Sequence, residues 1–352
     1  MLKTPAPSEH TVLEGQLCPL EAGLQPHQFR PRVALLSNPK STGNLAQLPR
    51  IRAYCADHPD VFHYEVEAAD QIGEAMKVIA RIRPKVLAIN GGDGTVQAAL
   101  TELYNGAHFG DEPPPVAVLP SGKTNLIALD LGARGDPIET LERLIQLARS
   151  DDLERYTVAR ELIALRRPGS EERPVIGMFL GGAGLAETML YCRHKIYPLG
   201  LPNSVSHGLT AIAYIAQLLL KVKGSFLPPR ATQTDLVMPE RATISGRFAF
   251  LAVTTLNKML LSQQMGGQGG GPLKVVAIEE RPSTVLRAIL TGLTGGYKGK
   301  KMRGMHFEEV DQVTIEGESS HLILDGETFR AETGRPIHLM PAQPLSFVKL
   351  AA

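Results

Sequence analysis

The run Asn90-Gly91-Gly92-Asp93-Gly94-Thr95 limits the fold more than any other stretch of the chain. It follows the apolar segment 86–89 and precedes a helical pattern over 96–104, so a buried strand must pass through a tight glycine turn into a helix. The same alternation surrounds it. Strands are predicted over 33–37, 62–66 and 116–119, with helices over 45–58, 72–83 and 138–148. In the second helix Ile72, Ala75, Met76, Ile79 and Ala80 recur at helical spacing. Strands alternating with helices imply a parallel sheet with covering helices.

The character changes near Thr157. Segments 161–166, 175–179, 231–237, 247–254, 273–278, 312–316 and 337–340 look like strands with no helix between most neighbours, which predicts a mostly antiparallel second domain. Helical inserts are expected over 186–194 and 207–222, and a third over 282–293. The fold class expected is an α/β N-terminal domain with a parallel sheet plus a mostly antiparallel β C-terminal domain with helical inserts. Residues 1–28 read as a flexible arm, 29–156 with a C-terminal return over about 331–352 as the α/β domain, and 157–330 as the β-rich domain.

With 352 residues, 43% of them hydrophobic, such a chain can bury a large core. The charge balance, 37 Lys and Arg against 36 Asp and Glu, creates no global field to hold a nucleic-acid backbone. Three cysteines, Cys18, Cys55 and Cys192, without a CxxC pair, speak against a disulfide framework or a structural zinc site and fit a reducing cytosol. Residues 1–31 carry Glu14, Glu21 and prolines where a signal peptide needs an apolar stretch. The longest apolar run, 209–220, falls short of the ~20 residues that span a bilayer.

The glycine turn suits an anion, because glycines admit a ligand close to the backbone and the helix start offers free amides. Asp93 inside it would repel phosphate unless it orients amides, holds a metal or takes a proton, so it asks for a chemical role. The plainer alternative is a Gly/Asp turn with no ligand. After the next strand, Leu119-Pro120-Ser121-Gly122-Lys123-Thr124-Asn125 looks like the tail of a Walker A loop, but Ala117 stands where that loop needs its first glycine.

Together with Asn38-Pro39-Lys40-Ser41, these turns resemble the catalytic domain shared by diacylglycerol kinases, sphingosine kinases and their bacterial lipid-kinase relatives. That family carries an NPxSG-like turn, a GGDGT turn and an LPxGTxN turn, in this order. It also ends with a DGE turn and a last apolar strand, here Leu324-Asp325-Gly326-Glu327, then 336–341 and 345–348. The resemblance covers about residues 29–350.

It implies a nucleotide-binding first domain and a lipid-substrate second domain. By that similarity ATP lies on Asn38, Lys40, Ser41, Gly91, Gly92, Asp93, Gly94, Thr95, Gly122, Lys123, Thr124 and Asn125. Glu327 is the implied general base, with Asp325 and Asp93 arranging Mg²⁺ and water as catalytic and metal residues. The expected reaction is transfer of the γ-phosphoryl group of ATP to a lipid hydroxyl at a membrane surface, by a cytoplasmic protein that touches the inner face peripherally and can form a homodimer. An NAD kinase shares the GGDGT turn, and a weakly catalytic binding regulator is a third reading.

Three positions depart from the family pattern: Lys123 stands where a hydroxyl is usual, Ala98 where a glutamate is usual, and Gly270 where an aspartate helps site a structural Mg²⁺. Lys123 is a compact cation that can neutralise phosphate in place of the ion or hydroxyl. Segments 185–190, 209–220 and 259–265 offer apolar residues for an acyl tunnel, or for ordinary core. Lys298, Lys300, Lys301 and Arg303 form a basic run, suited to anionic headgroups or to a solvated loop.

Overall fold

The structure, a computed structural model, describes residues 31–110, 112–122, 125–169, 171–201, 203–220, 224, 227–239, 241–256, 270–293 and 302–350. The expected arm over 1–28, Lys123, Thr124, the segment 259–265 and Lys298 to Lys301 lie outside the described residues.

The first part alternates strand and helix: β1 (Val33–Ser37), α1 (Asn44–Ala56), β2 (Val61–Glu65), α2 (Ile72–Ile82), β3 (Val86–Asn90), α3 (Asp93–Asn105) and β4 (Val116–Val118). Helices α4 (Leu126–Asp130), α5 (Pro137–Arg149) and α6 (Leu153–Tyr156) follow. The strands pair in parallel in the order β2-β1-β3-β4. Every residue of β1 and β3 is buried, because helices cover both sheet faces. Ala34, Leu36, Leu87 and Ile89 pack into one core and Val33, Leu35, Val86 and Ala88 into the other, as the two-residue period of a strand requires.

The second part contains β5 (Thr157–Arg166), β6 (Val175–Gly177), β7 (Phe179–Gly182), α7 (Gly184–Tyr191) and α8 (Asn203–Leu220), with a π-helical turn over Cys192–Ile196 after α7. Strands β8 (Gln233–Val237), β9 (Ile244–Thr254) and β10 (Leu273–Glu279) precede α9 (Pro282–Leu293). The chain ends on β11 (Met305–Val310), β12 (Val313–Gly317), β13 (Ser320–Leu324), β14 (Glu327–Ala331) and β15 (Ile337–Val348). All pairings within this part are antiparallel. Strand β15 joins the two parts, pairing antiparallel with β5 and β12 and, at Phe347, parallel with Val116 of β4. The fold is thus a parallel α/β layer continuous with an antiparallel β-rich region carrying helical inserts.

Several expectations are corrected. Helix α3 begins at Asp93 instead of Val96, so half of the glycine motif is its first turn. The strand expected over 175–179 is split at Met178, whose backbone turns away to meet another group described below. Strands β11 and β14 carry too many polar residues to stand out by pattern. The expected segments 337–340 and 345–348 are one strand, kept continuous by an irregularity between Ala342 and Leu345. Segment 209–220 does not line an interior tunnel, since Leu209, Ile212, Leu219 and Leu220 of α8 are exposed.

Candidate active site

Three turns leave the ends of adjacent parallel strands and close on one another. After β1, the side chain of Asn38 donates from Nδ2 to Thr95 Oγ1 at 2.9 Å, while Ser41 Oγ accepts from the Gly92 N–H at 2.9 Å. The Gly43 N–H donates to the Ser121 carbonyl at 3.1 Å, tying the first turn to the third. Gly122 lies so near the second turn that a methyl on it would sit 3.0 Å from Gly92 Cα, a contact the turn would have to shift to admit. Asn125 caps this third turn from a left-handed conformation, φ 53°, with Oδ1 accepting from the Gly122 N–H at 2.6 Å and Nδ2 donating to the Gly122 carbonyl at 3.0 Å. The first amides of α3 lie at this convergence, Asp93 N 3.7 Å from the position of a Cβ on Gly122 and Gly94 N 3.4 Å from that on Gly326, and like those of any helix start they lack intrahelical acceptors.

Across from the turns stands the β13–β14 hairpin. Leu324 pairs with Glu327, and the two connecting residues, Asp325 and Gly326, both have positive φ, 44° and 101°. That is the turn an Asp-Gly pair favours, because its twist matches the flanking strands. The hairpin sets Glu327 at the start of β14 with its side chain exposed and Oε1 3.0 Å from the position a Cβ would take on Gly94. A side chain at 94 would crowd this carboxylate beside the α3 terminus.

Asp325 is held differently from the sequence expectation. It is buried, its Oδ2 accepts from the Met178 N–H at 2.7 Å, and its Oδ1 accepts from the Phe179 N–H at 3.0 Å. Both oxygens thus pin the hairpin to the break between β6 and β7 and are already engaged by backbone donors. Burial pushes its carboxyl up to about 8 against the pull of those N–H donors, and the nearby Asp93 carboxylate adds to the rise. Burial likewise raises Asp93 to about 6, with no cation or hydrogen bond from a described residue to offset it.

Among the described residues no group of three or more His, Cys, Asp or Glu is placed to hold a metal ion. Mg²⁺ seldom uses such a cage; it is bound through one or two carboxylates, substrate phosphates and water. The half-buried Asp93 carboxylate, with no hydrogen-bond partner among the described residues, fits that mode beside the amide cradle, whereas Asp325 does not.

Of the remaining expected residues, Gly91 packs on the Thr95 side chain, and Lys40 turns outward to pair with Glu67 at 3.2 Å. Lys123 and Thr124 fall between described residues. Ala98 packs against the apolar core, which accounts for the loss of a polar residue there, and Gly270 is exposed, with no described residue within 4 Å of the place a Cβ would take. Sequence reasoning missed Asn44, which is buried and donates from Nδ2 to the carbonyls of Asn38, at 2.8 Å, and Asn90, at 3.0 Å. It also missed Arg193, whose guanidinium donates to the Gly326 carbonyl at 3.2 Å. An asparagine opening an apolar helix was the available signal for the first; nothing local marks the second.

Residues 32–154, the part that supplies all three turns, match the family model of the diacylglycerol kinase catalytic domain. The match is confined to this part of the chain. No curated protein matches the sequence. Among solved structures, a diacylglycerol kinase from Bacillus anthracis str. Sterne shares 14% identity, with a TM-score of 0.53 over 91% of this chain and 97% of its own. A second structure from that organism, of a protein assigned as a diacylglycerol kinase, gives a TM-score of 0.58 at 14% identity over the same shares. These likenesses reach beyond the kinase-type domain into the antiparallel region, so the whole two-part fold is common to them.

Proposed function

We propose that the protein is a lipid kinase that transfers the γ-phosphoryl group of ATP to a hydroxyl of diacylglycerol, a sphingoid base or a related lipid. The observation that carries this reading is the position of the Glu327 carboxylate against Gly94, facing the three-turn cradle. Phosphoryl transfer asks a protein for positioning and charge stabilisation more than for covalent chemistry. The α3 amides and the Ser41, Thr95 and Asn125 turns hold the phosphates. Glu327 accepts the proton of the lipid hydroxyl as its oxygen attacks the γ-phosphorus, while Asp325 keeps the hairpin in place. Asp93 is the residue that would hold Mg²⁺, which when bound neutralises phosphate charge.

The test is incubation of the purified chain with labelled ATP, Mg²⁺ and mixed micelles of diacylglycerol or sphingosine, with NAD as a parallel acceptor. Label in the lipid phase is the expected result. Label on NAD alone, or on no acceptor, overturns the proposal.

A further inference from the structure

One face of the parallel layer turns polar just where its strands reach the candidate active site. Val33 and Leu35 of β1, Val61 of β2 and Val86 and Ala88 of β3 share an apolar core with Ile51 of α1 and Leu144 of α5. The next positions on that same face, two residues on along each strand, are Ser37, His63 and Asn90. Ser37 and Asn90 are register partners and fully buried, and Asn90 Nδ2 donates to Ser37 Oγ at 2.9 Å. His63 Nε2 lies 2.8 Å from the same oxygen.

The chemistry of these groups fixes the direction of each bond. Ser37 Oγ already accepts from Asn90, so its own proton goes to His63 Nε2, which must then be an unprotonated acceptor in a neutral ring whose proton sits on Nδ1. Burial favours that neutral ring by holding His63 below its ordinary range. Two charged groups face it: the Glu65 carboxylate, 3.8 Å from Nε2, pulls upward, and the Arg52 guanidinium of α1 pulls downward. The row ends at the turns. Ser37 leads directly into the Asn38 turn and Asn90 into the glycine turn, and the Asn90 carbonyl accepts from the Asn38 N–H at 2.9 Å and from Asn44 Nδ2 at 3.0 Å. A buried hydroxyl or amide left without its partner is costly, so this chain of bonds sets how the two turns stand to one another as they leave the sheet.

We propose that His63, acting through Ser37 and Asn90, is a positioning residue for the phosphate cradle. It works on nucleotide binding, while proton transfer belongs to Glu327. The role rests on the reading of the cradle as an ATP site. The experiment measures the KM for ATP and the kcat on micellar lipid, with ATP binding by calorimetry in Mg²⁺, for the full chain and its variants. His63→Leu keeps an apolar filling of similar size but accepts nothing, and it should raise the KM for ATP about tenfold with kcat little changed. His63→Gln returns an acceptor oxygen and should restore the natural KM. Ser37→Ala should match His63→Leu, and the double variant Ser37→Ala, His63→Leu should be no worse than either, because both break one network. Nitrogen NMR of the natural chain without nucleotide reads the ring directly and does not depend on any variant folding: the Nδ1–H tautomer, the less common one in free histidine, is expected. An Nε2–H tautomer, an unchanged KM in His63→Leu, failure of His63→Gln to restore it, or additive losses in the double variant each overturn the role of His63 while leaving the kinase reading intact. A natural chain that binds no ATP overturns the kinase reading and this role together.

Discussion

At the residue scale, the site depends on two carboxylates in opposite environments. Glu327 is exposed at the start of β14 beside the glycine of the facing helix, so its substitution should act on chemistry. Glu327→Gln is expected to lower kcat by about 10²–10⁴, the range for a lost general base, with an unchanged melting temperature. A steady-state assay on micellar lipid checks this, and an unaltered kcat would remove Glu327 from the reaction. Asp93 is raised to about 6 by burial, so between pH 4 and 6 the folded chain binds a proton that the unfolded chain has lost. Its contribution to stability is full below about pH 4 and is lost as pH rises through about 6. Urea midpoints of Asp93→Asn, taken with EDTA and no nucleotide, should therefore gain on those of the natural chain as pH climbs from 4 to 7. Parallel pH curves for the two proteins would show that Asp93 is not buried as described.

At the element scale, the β13–β14 hairpin is the part that sequence reasoning read least well. Its Asp-Gly pair was legible as a turn, and the resemblance pointed to Glu327, but Asp325 was assigned to metal. Its partners, the amides of Met178 and Phe179, lie 147 and 146 residues away in sequence, and a backbone N–H leaves no signature in the residue types around it. Asp325→Ala would strand two buried donors at ~1–3 kcal/mol each and loosen the hairpin that aims Glu327. Equilibrium unfolding should show a loss of about 2–6 kcal/mol, accompanied by a fall in kcat with little change in the KM for ATP. A variant as stable as the natural chain would rule out the clamp. Strands β11 and β14 went unread for a related reason: only two of the six residues of β11 and one of the five of β14 are buried, too few to leave the alternation that marks a half-buried strand.

For the whole molecule, β15 is the joint. It runs against β5 and β12 in the antiparallel region and meets β4 of the parallel layer at Phe347, whose side chain is fully buried in the larger core of that layer. Phe347→Ala should cost about 3–5 kcal/mol, the usual loss for a large aromatic in a packed core. The urea midpoint would report it, and a loss under ~1 kcal/mol would mean that the joint is not packed as found. Helix α8 belongs to the same scale. No helix among the described residues is long and apolar enough to cross a membrane, and the apolar run that suggested an interior tunnel faces outward, a placement that depends on which side of the helix the β-rich region covers.

The parallel layer and its three turns were set locally. Fully buried strands need continuous apolar runs, and turns that receive phosphate need glycine and small polar residues at fixed places, so residue type alone betrayed them. What only the tertiary structure decided was the meeting of parts far apart in the chain: Glu327 against Gly94, Asp325 on the β6–β7 break, Arg193 on the hairpin carbonyl, and an apolar helix face turned to the outside. Each of these is fixed by packing and by backbone hydrogen bonds, and the amide that donates to a distant carboxylate is the same chemical group at every residue but proline.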